Sequence, residues 1–193
     1  MSTDAASAPV LNLANYLTMA RLALVPVFVA LFFVDGGHSS GWRVAAWVVF
    51  AVASVTDRID GDIARRRGLV TDFGKVADPI ADKALTGSAL ISLSIVGELP
   101  WWVTVVILIR EVGVTALRFW VIHYGVIPAS RGGKIKTMLQ GVGLGLYVLP
   151  LTGWVHEIAV AVMAVAIVVT LVTGGDYVFR ALAVRRAGRR LTV

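Results

Sequence analysis

Six apolar runs, each close to the length needed to cross a lipid bilayer, occupy most of this 193-residue chain. A helix needs roughly 20 mostly apolar residues to span the hydrocarbon. The runs fall at about 13–34, 42–66, 78–97, 100–124, 134–152 and 156–180. Turn signals separate several of them: Asp35-Gly36-Gly37, Gly97-Glu98-Leu99-Pro100 and Thr152-Gly153. Hydrophobic residues make up 58% of the chain and charged residues 16%, whereas a soluble domain carries about 45–50% and about 25%. The pattern predicts an all-α integral membrane protein of six transmembrane helices in one domain, 1–193. Residues 1–12 form a short lead without the basic n-region of a signal peptide, 13–180 the bundle, and 181–193 a basic tail.

Charge sets the expected orientation. The net charge of +6 invites a nucleic-acid reading. The basic residues, however, sit at the ends of apolar runs, as membrane topology requires, so no nucleic-acid partner is expected. Arg65, Arg66, Arg67, Lys75, Arg131, Lys134 and Lys136 flank the loops after the second and fourth runs, and Arg180, Arg185, Arg186, Arg189 and Arg190 fill the tail. The opposite loops have only Arg43 nearby. Both termini and the two basic loops are therefore expected in the cytoplasm, with the tail drawn to anionic headgroups. Trp42, Trp47, Trp101, Trp102 and Trp154 lie near the run ends, as an aromatic belt does. The chain has no cysteine, hence no disulfide, thiol nucleophile or thiolate metal site.

One stretch breaks the apolar rule. TDRIDGDIARRRGLVTDFGKVADPIADK, from Thr56 to Lys83, carries Asp57, Asp60, Asp78 and Asp82. Ionisable groups in or beside membrane segments are costly and mark function. Residues three or four apart share a helix face, so Asp57, Asp60, Gly61 and Ala64 form one stripe, and Asp78 with Asp82 a second. If the two helices pack antiparallel, the carboxylates converge and repel unless cations join them. Oxygen ligands with no Cys and no nearby His suit Mg²⁺ or Mn²⁺ rather than zinc. Gly61 and Ala64 leave room for a ligand, and Arg65 can take a phosphate with two prongs.

The pattern D-x-x-D-G-x-x-A-R-x8-G-x-x-x-D-x-x-x-D runs without departure through Asp57, Asp60, Gly61, Ala64, Arg65, Gly74, Asp78 and Asp82. It resembles the signature of the CDP-alcohol phosphotransferases. That resemblance implies six transmembrane helices, a homodimer in a bacterial plasma membrane and a two-metal site open to the cytoplasm. It implies that Asp57, Asp60 and Asp78 ligate metal and that Asp82 is both ligand and general base. It further implies that Gly61, Arg65 and Thr71 contact the cytidine nucleotide of CDP-diacylglycerol, with Ala64 in the same stripe and Asn15 and Thr18 at the nucleotide end of the lipid. The family chemistry replaces CMP with an alcohol.

Three more runs bear on the alcohol: NYLTMAR (Asn15 to Arg21), IREVGVTALR (Ile109 to Arg118) and PASRGGKIKTMLQ (Pro128 to Gln140). Together they resemble the branch of the family that uses glycerol 3-phosphate. Arg110, Arg118, Arg131, Lys134 and Lys136 are the candidate pocket for the acceptor's phosphate. Arg110 falls about 15 Å from the outer turn and needs an anionic partner there. Glu111, its neighbour in sequence, is expected to point elsewhere on the helix. By charge alone inositol phosphate fits such a pocket as well, and phosphatidylglycerol is a third acceptor. A divalent-cation transporter is the alternative outside the enzyme class, although the chain lacks the paired half-helices or repeats that transporters often bring.

Overall fold

The computed structural model describes the backbone of residues 13–67, 71–121 and 131–190, and side chains over 15–57, 71, 77–117, 119–121 and 132–185. These residues form α1 (Leu13–Phe32), a 3-10 turn (Val34–Gly37), α2 (Ser40–Arg67), α3 (Asp72–Ile95), α4 (Trp101–Val121), α5 (Arg131–Val148) and α6 (Trp154–Arg190), with no strand among them. The lead at 1–12 lies outside the described residues. The chain divides into two compact units. One is Met1–Val96 with Val148–Pro150, the other Gly97–Tyr147 with Leu151–Val193.

In the first unit α1 packs against both α2 and α3. Small and aromatic residues recur at helical spacing on the facing stripes. On α2 they are Ala46, Phe50 and Ala53, and on α3 Ala81, Leu85 and Ala89, all buried. The alanines let backbones approach closely. Phe28 of α1 fills the remaining space, its ring 5.8 Å from that of Phe32 and 5.9 Å from that of Phe50. The predicted turn at Asp35-Gly36-Gly37 forms, with all three residues at positive φ. Gly37 cannot be otherwise: a Cβ there would lie 2.8 Å from Val96 Cγ1. Arg43, 4% exposed, is the buried cation of this unit's far end. Its Nε donates to the carbonyl of Val148, the last residue of α5, at 3.1 Å, and its guanidinium lies over the Phe32 ring. A cation at a helix C-terminus satisfies an orphan carbonyl and complements the helix dipole.

In the second unit α4 and α6 run in parallel and in step. Arg110 meets Thr173. Val121, Tyr177 and Ala181 form a buried cluster joined by Val114, Leu117 and Val184, and Arg185 stacks on Trp120. This seam explains two departures from expectation at the chain's end. The bundle helix expected to stop near residue 180 continues to Arg190, because Ala181 and Val184 still find apolar partners on α4 and the Arg-Ala-rich sequence favours helix. The tail is thus helical over most of its length. In the first unit, α3 begins at Asp72 rather than near residue 78, an acidic residue in the first turn being favoured by the helix dipole. Asp78 consequently sits in the second turn.

Among the described residues two helices, through Asn15–Phe32 and Trp154–Arg185, are long and apolar enough to cross a membrane. The other four carry the charges singled out above: Asp57 and its arginines on α2, Asp78 and Asp82 on α3, Arg110 and Glu111 on α4, Lys134 and Lys136 on α5.

Candidate active site

The aspartate stretch is organised by α1. Asn15, Thr18 and Arg21 recur every three residues and all three are buried, so they occupy one face. Each reaches a different element of the aspartate stretch. The Asn15 carboxamide and the Thr71 hydroxyl satisfy each other in both directions, at 2.9 and 3.0 Å, between α1 and the residue before α3. The Thr18 hydroxyl donates to Asp78 Oδ1 on α3. Arg21 Nη1 lies 2.6 Å from Asp57 Oδ1 on α2. The two carboxylates are therefore held from one helix at positions one turn apart. Among the described residues α1 packs on both α2 and α3 more extensively than those two pack on each other.

Arg21 was not among the residues singled out for the site, although it closes the N-x-L-T-x-x-R run. Its signal was the spacing of three shared with Asn15 and Thr18. At 2% exposed, a guanidinium is stable only when paired and hydrogen-bonded, and Asp57 supplies that charge. Asp57 itself is half-buried, with 35% of its side chain exposed, so the carboxylate keeps an open side. Asp82 lies one turn beyond Asp78 on α3 and is also half-buried. Asp60, Gly61, Ala64 and Arg65 are on α2, but their side chains lie outside the described residues. Among the described residues no group of three or more His, Cys, Asp or Glu could hold a metal ion, Asp60 being outside that set. In donor chemistry Asp57, Asp78 and Asp82 fit a hard divalent cation, since their carboxylates offer oxygen ligands only.

The cationic residues assemble differently. Arg110 Nη1 lies 3.0 Å from Glu111 Oε1, and Lys136 Nζ pairs with the same oxygen. Glu111 is thus the partner of Arg110, contrary to expectation. The flexible stem of Arg110 curls along the helix to reach its neighbour, which a count of helix angles between Cβ atoms misses. Arg110 Nη2 also donates to the Thr173 hydroxyl on α6 at 3.3 Å. Gly174 makes room for the stem, since a Cβ there would meet Arg110 Cγ at 3.3 Å. Lys136 is 3% exposed and Arg110 and Glu111 are each 15% exposed. Two cations share one carboxylate oxygen. Lys134, by contrast, is exposed on α5. Arg118 on α4 and Arg131 at the start of α5 have side chains outside the described residues.

Carboxylate oxygens held by a buried polar stripe are the kind of donor set that phosphoryl transfer uses. Known proteins match this chain along most of its length. A protein of Mycobacterium tuberculosis named probable phosphatidylglycerophosphate synthase is 60% identical over 178 residues, covering 92% of this chain and 85% of the relative. Proteins named CDP-diacylglycerol–glycerol-3-phosphate 3-phosphatidyltransferase match at 38% identity in Rickettsia typhi, covering 86% of this chain and 94% of the relative. In Bacillus subtilis the match is 37%, covering 86% and 93%. The model of one protein family, described as CDP-alcohol phosphatidyltransferase, matches residues 11–172, from just before the Asn15 stripe on α1 to just short of Thr173 on α6. The chain belongs to the CDP-alcohol phosphatidyltransferase family.

Proposed function

We propose that this protein transfers the phosphatidyl group of CDP-diacylglycerol to glycerol 3-phosphate, releasing CMP and forming phosphatidylglycerophosphate. The observation that carries the reading is the α1 stripe, whose Thr18 and Arg21 hold Asp78 and Asp57 of the family motif. The names of the relatives support this donor and acceptor.

Asp57, Asp60, Asp78 and Asp82 would hold two divalent cations, Mg²⁺ or Mn²⁺, which neutralise charge on the pyrophosphate and on the developing alkoxide. The primary hydroxyl of glycerol 3-phosphate attacks the phosphorus that bears the diacylglycerol oxygen. The bond from that phosphorus to the bridging oxygen of the cytidylate breaks, and CMP leaves with the electron pair. Asp82 takes the hydroxyl proton, because an alcohol is a poor nucleophile until a nearby base accepts it. Asn15, Thr18, Gly61, Ala64, Arg65 and Thr71 line the CDP-diacylglycerol subsite. Arg110, Arg118, Arg131, Lys134 and Lys136 bind the acceptor's phosphate, with Arg110 and Lys136 pre-positioned by Glu111.

All six helices cross the membrane in this reading, with both termini and the site cytoplasmic in a bacterial plasma membrane, and the protein works as a homodimer. Its support is the outer surface of each unit. On α2, Val44, Val48, Val52 and Val55 form an exposed stripe, as do Val105, Ile109 and Val112 on α4. Apolar stripes of this length are unfavourable in water. Trp42, Trp101, Trp102 and Trp154 stand exposed at the N-terminal ends of α2, α4 and α6, where interfacial aromatics belong if those ends face outward. α6, at about 55 Å, exceeds the hydrocarbon thickness and carries its basic end into the headgroup layer.

The test is purified protein in detergent or nanodiscs with CDP-diacylglycerol and a panel of labelled acceptors. CMP release should require Mg²⁺ or Mn²⁺ and glycerol 3-phosphate, and cease with chelator. Consumption of inositol phosphate in place of glycerol 3-phosphate overturns the acceptor assignment. Metal uptake without CMP release overturns the enzyme reading.

A further inference from the structure

Buried polar atoms in folded proteins almost always have partners. Among the described residues of the second unit four do not: Arg110 Nε on α4, Gln140 Oε1 on α5, and Thr170 Oγ1 and Arg185 Nε on α6, the last belonging to the guanidinium that lies over the Trp120 ring. Gln140 is 3% exposed and Thr170 fully buried. Thr170 also departs from the habit of threonines in this protein. Thr56, Thr115, Thr137 and Thr173 each return their hydroxyl to the carbonyl four residues earlier, the usual local solution for a helical threonine.

Arg110, Gln140 and Thr170 belong to one neighbourhood, away from Arg185 at the Trp120 end of the seam. Thr170 lies one turn before Gly174 and shares the α6 stripe of Thr173 and Gly174, against which Arg110 rests. Gln140 lies one turn after Lys136 on the same face of α5, and Lys136 meets Glu111 beside Arg110. One turn further, Gly143 touches Met163 of α6, so this face of α5 is turned toward α6. Arg110, Gln140 and Thr170 are therefore gathered around the ion group within about a helical turn.

The unmatched atoms define a complement. Arg110 Nε is a guanidinium donor, and anionic oxygens are the acceptors a guanidinium takes best. Gln140 Oε1 is an acceptor and needs a donor, which a fully ionised phosphate lacks and a hydroxyl supplies. A ligand that completes the set brings anionic oxygens and hydroxyl donors together. We propose that Gln140 and Thr170 read the hydroxyl groups of a phosphorylated polyol whose phosphate sits at Arg110 and Lys136, and so determine acceptor specificity. The inference rests on the acceptor-phosphate assignment above and adds the residues that distinguish a polyol phosphate from a simple alkyl phosphate.

Two acceptors test it. Glycerol 3-phosphate and 3-hydroxypropyl phosphate share the phosphate and the attacking primary hydroxyl and differ only in the middle hydroxyl. A site built around a substrate hydroxyl rejects the analogue that lacks it, by about 100-fold or more in kcat/KM. Gln140→Leu should shrink that ratio to below about tenfold by raising KM for glycerol 3-phosphate, while kcat/KM for the analogue stays within about threefold of the parent. Thr170→Val, which preserves shape, should shrink the ratio by about tenfold or less. The analogue reports whether each variant is folded and competent. An unchanged ratio in both variants, or proportionate losses on both acceptors, overturns the proposal and leaves these residues structural. If the parent releases CMP with neither acceptor but does so with another phosphorylated alcohol, the glycerol 3-phosphate assignment fails instead.

Discussion

The two polar clusters of this protein are built on opposite plans. In the first unit the functional side chains are acidic, lie within one continuous stretch of sequence, and are gripped by a neighbouring helix: Thr18 on Asp78, Arg21 on Asp57 and Asn15 on Thr71. In the second unit they are basic, come from α4 and α5, and close on a single carboxylate, with Gln140, Thr170 and one nitrogen of Arg110 left over. A site that must hold cations in fixed geometry gains from rigid carboxylates already oriented by hydrogen bonds. A site that must admit and release a polar substrate gains from groups whose partners arrive with the substrate. The contrast teaches that one cluster is completed by protein partners, while the other leaves buried polar atoms that, on the proposed reading, a ligand completes.

The largest effect should come from the acidic cluster. Asp82→Asn removes the proposed base but keeps shape, and turnover should fall by about 10²–10⁴-fold while CDP-diacylglycerol still binds, as measured by equilibrium binding of a labelled nucleotide lipid. Near-parental turnover would remove Asp82 from the chemistry.

Next comes the basic cluster. Arg110→Met should raise KM for glycerol 3-phosphate by about 100-fold, the loss of a charge-assisted contact, with the KM for CDP-diacylglycerol within a few fold of the parent. Equal losses for donor and acceptor would mean that Arg110 is a structural ion pair, and the comparison between the clusters would collapse.

Arg21 sharpens the other half. Arg21→Met should weaken Mn²⁺ binding by about 10–100-fold, read by titration of the protein with Mn²⁺ and detection of free ion, with Arg21→Lys intermediate. Loss of thermal stability at unchanged Mn²⁺ affinity would restrict Arg21 to packing.

The smallest functional effect is expected away from both clusters. Gly37→Ala should destabilise by about 1–3 kcal/mol, because the residue sits at φ +86 with Val96 2.8 Å from the new Cβ. Its kcat/KM in the folded fraction should match the parent, as measured alongside thermal unfolding.

The aspartate motif was legible because its residues are local: a pattern of eight positions between Asp57 and Asp82 needs only helical periodicity to be read. The N-x-L-T-x-x-R run was visible too, but its purpose was not, since nothing in the sequence states which helix α1 faces. Glu111 was set aside on an argument about Cβ directions, and a long arginine stem defeated it. Thr170 drew no functional reading, and Gln140 entered only as the last residue of the Pro128–Gln140 run, with no role of its own. A buried threonine is ordinary in an apolar helix, and only the missing partner, a tertiary fact, makes it conspicuous. The end of α6 was misjudged for a related reason. Charge alone marked residues 181–193 as a tail, and only the seam of Val121, Tyr177 and Ala181 shows why the helix persists.

By itself the sequence determined the apolar helices, the turn at Asp35-Gly36-Gly37 and the four carboxylates with their spacing, because each depends on interactions within a few residues along the chain. The tertiary structure decided which helix holds the carboxylates, which acid neutralises Arg110 and Lys136, and which buried atoms are left without partners. Those depend on what faces a side chain across a packed interface, and burial makes such choices strong: away from water a polar group must find its partner in the protein or in a ligand.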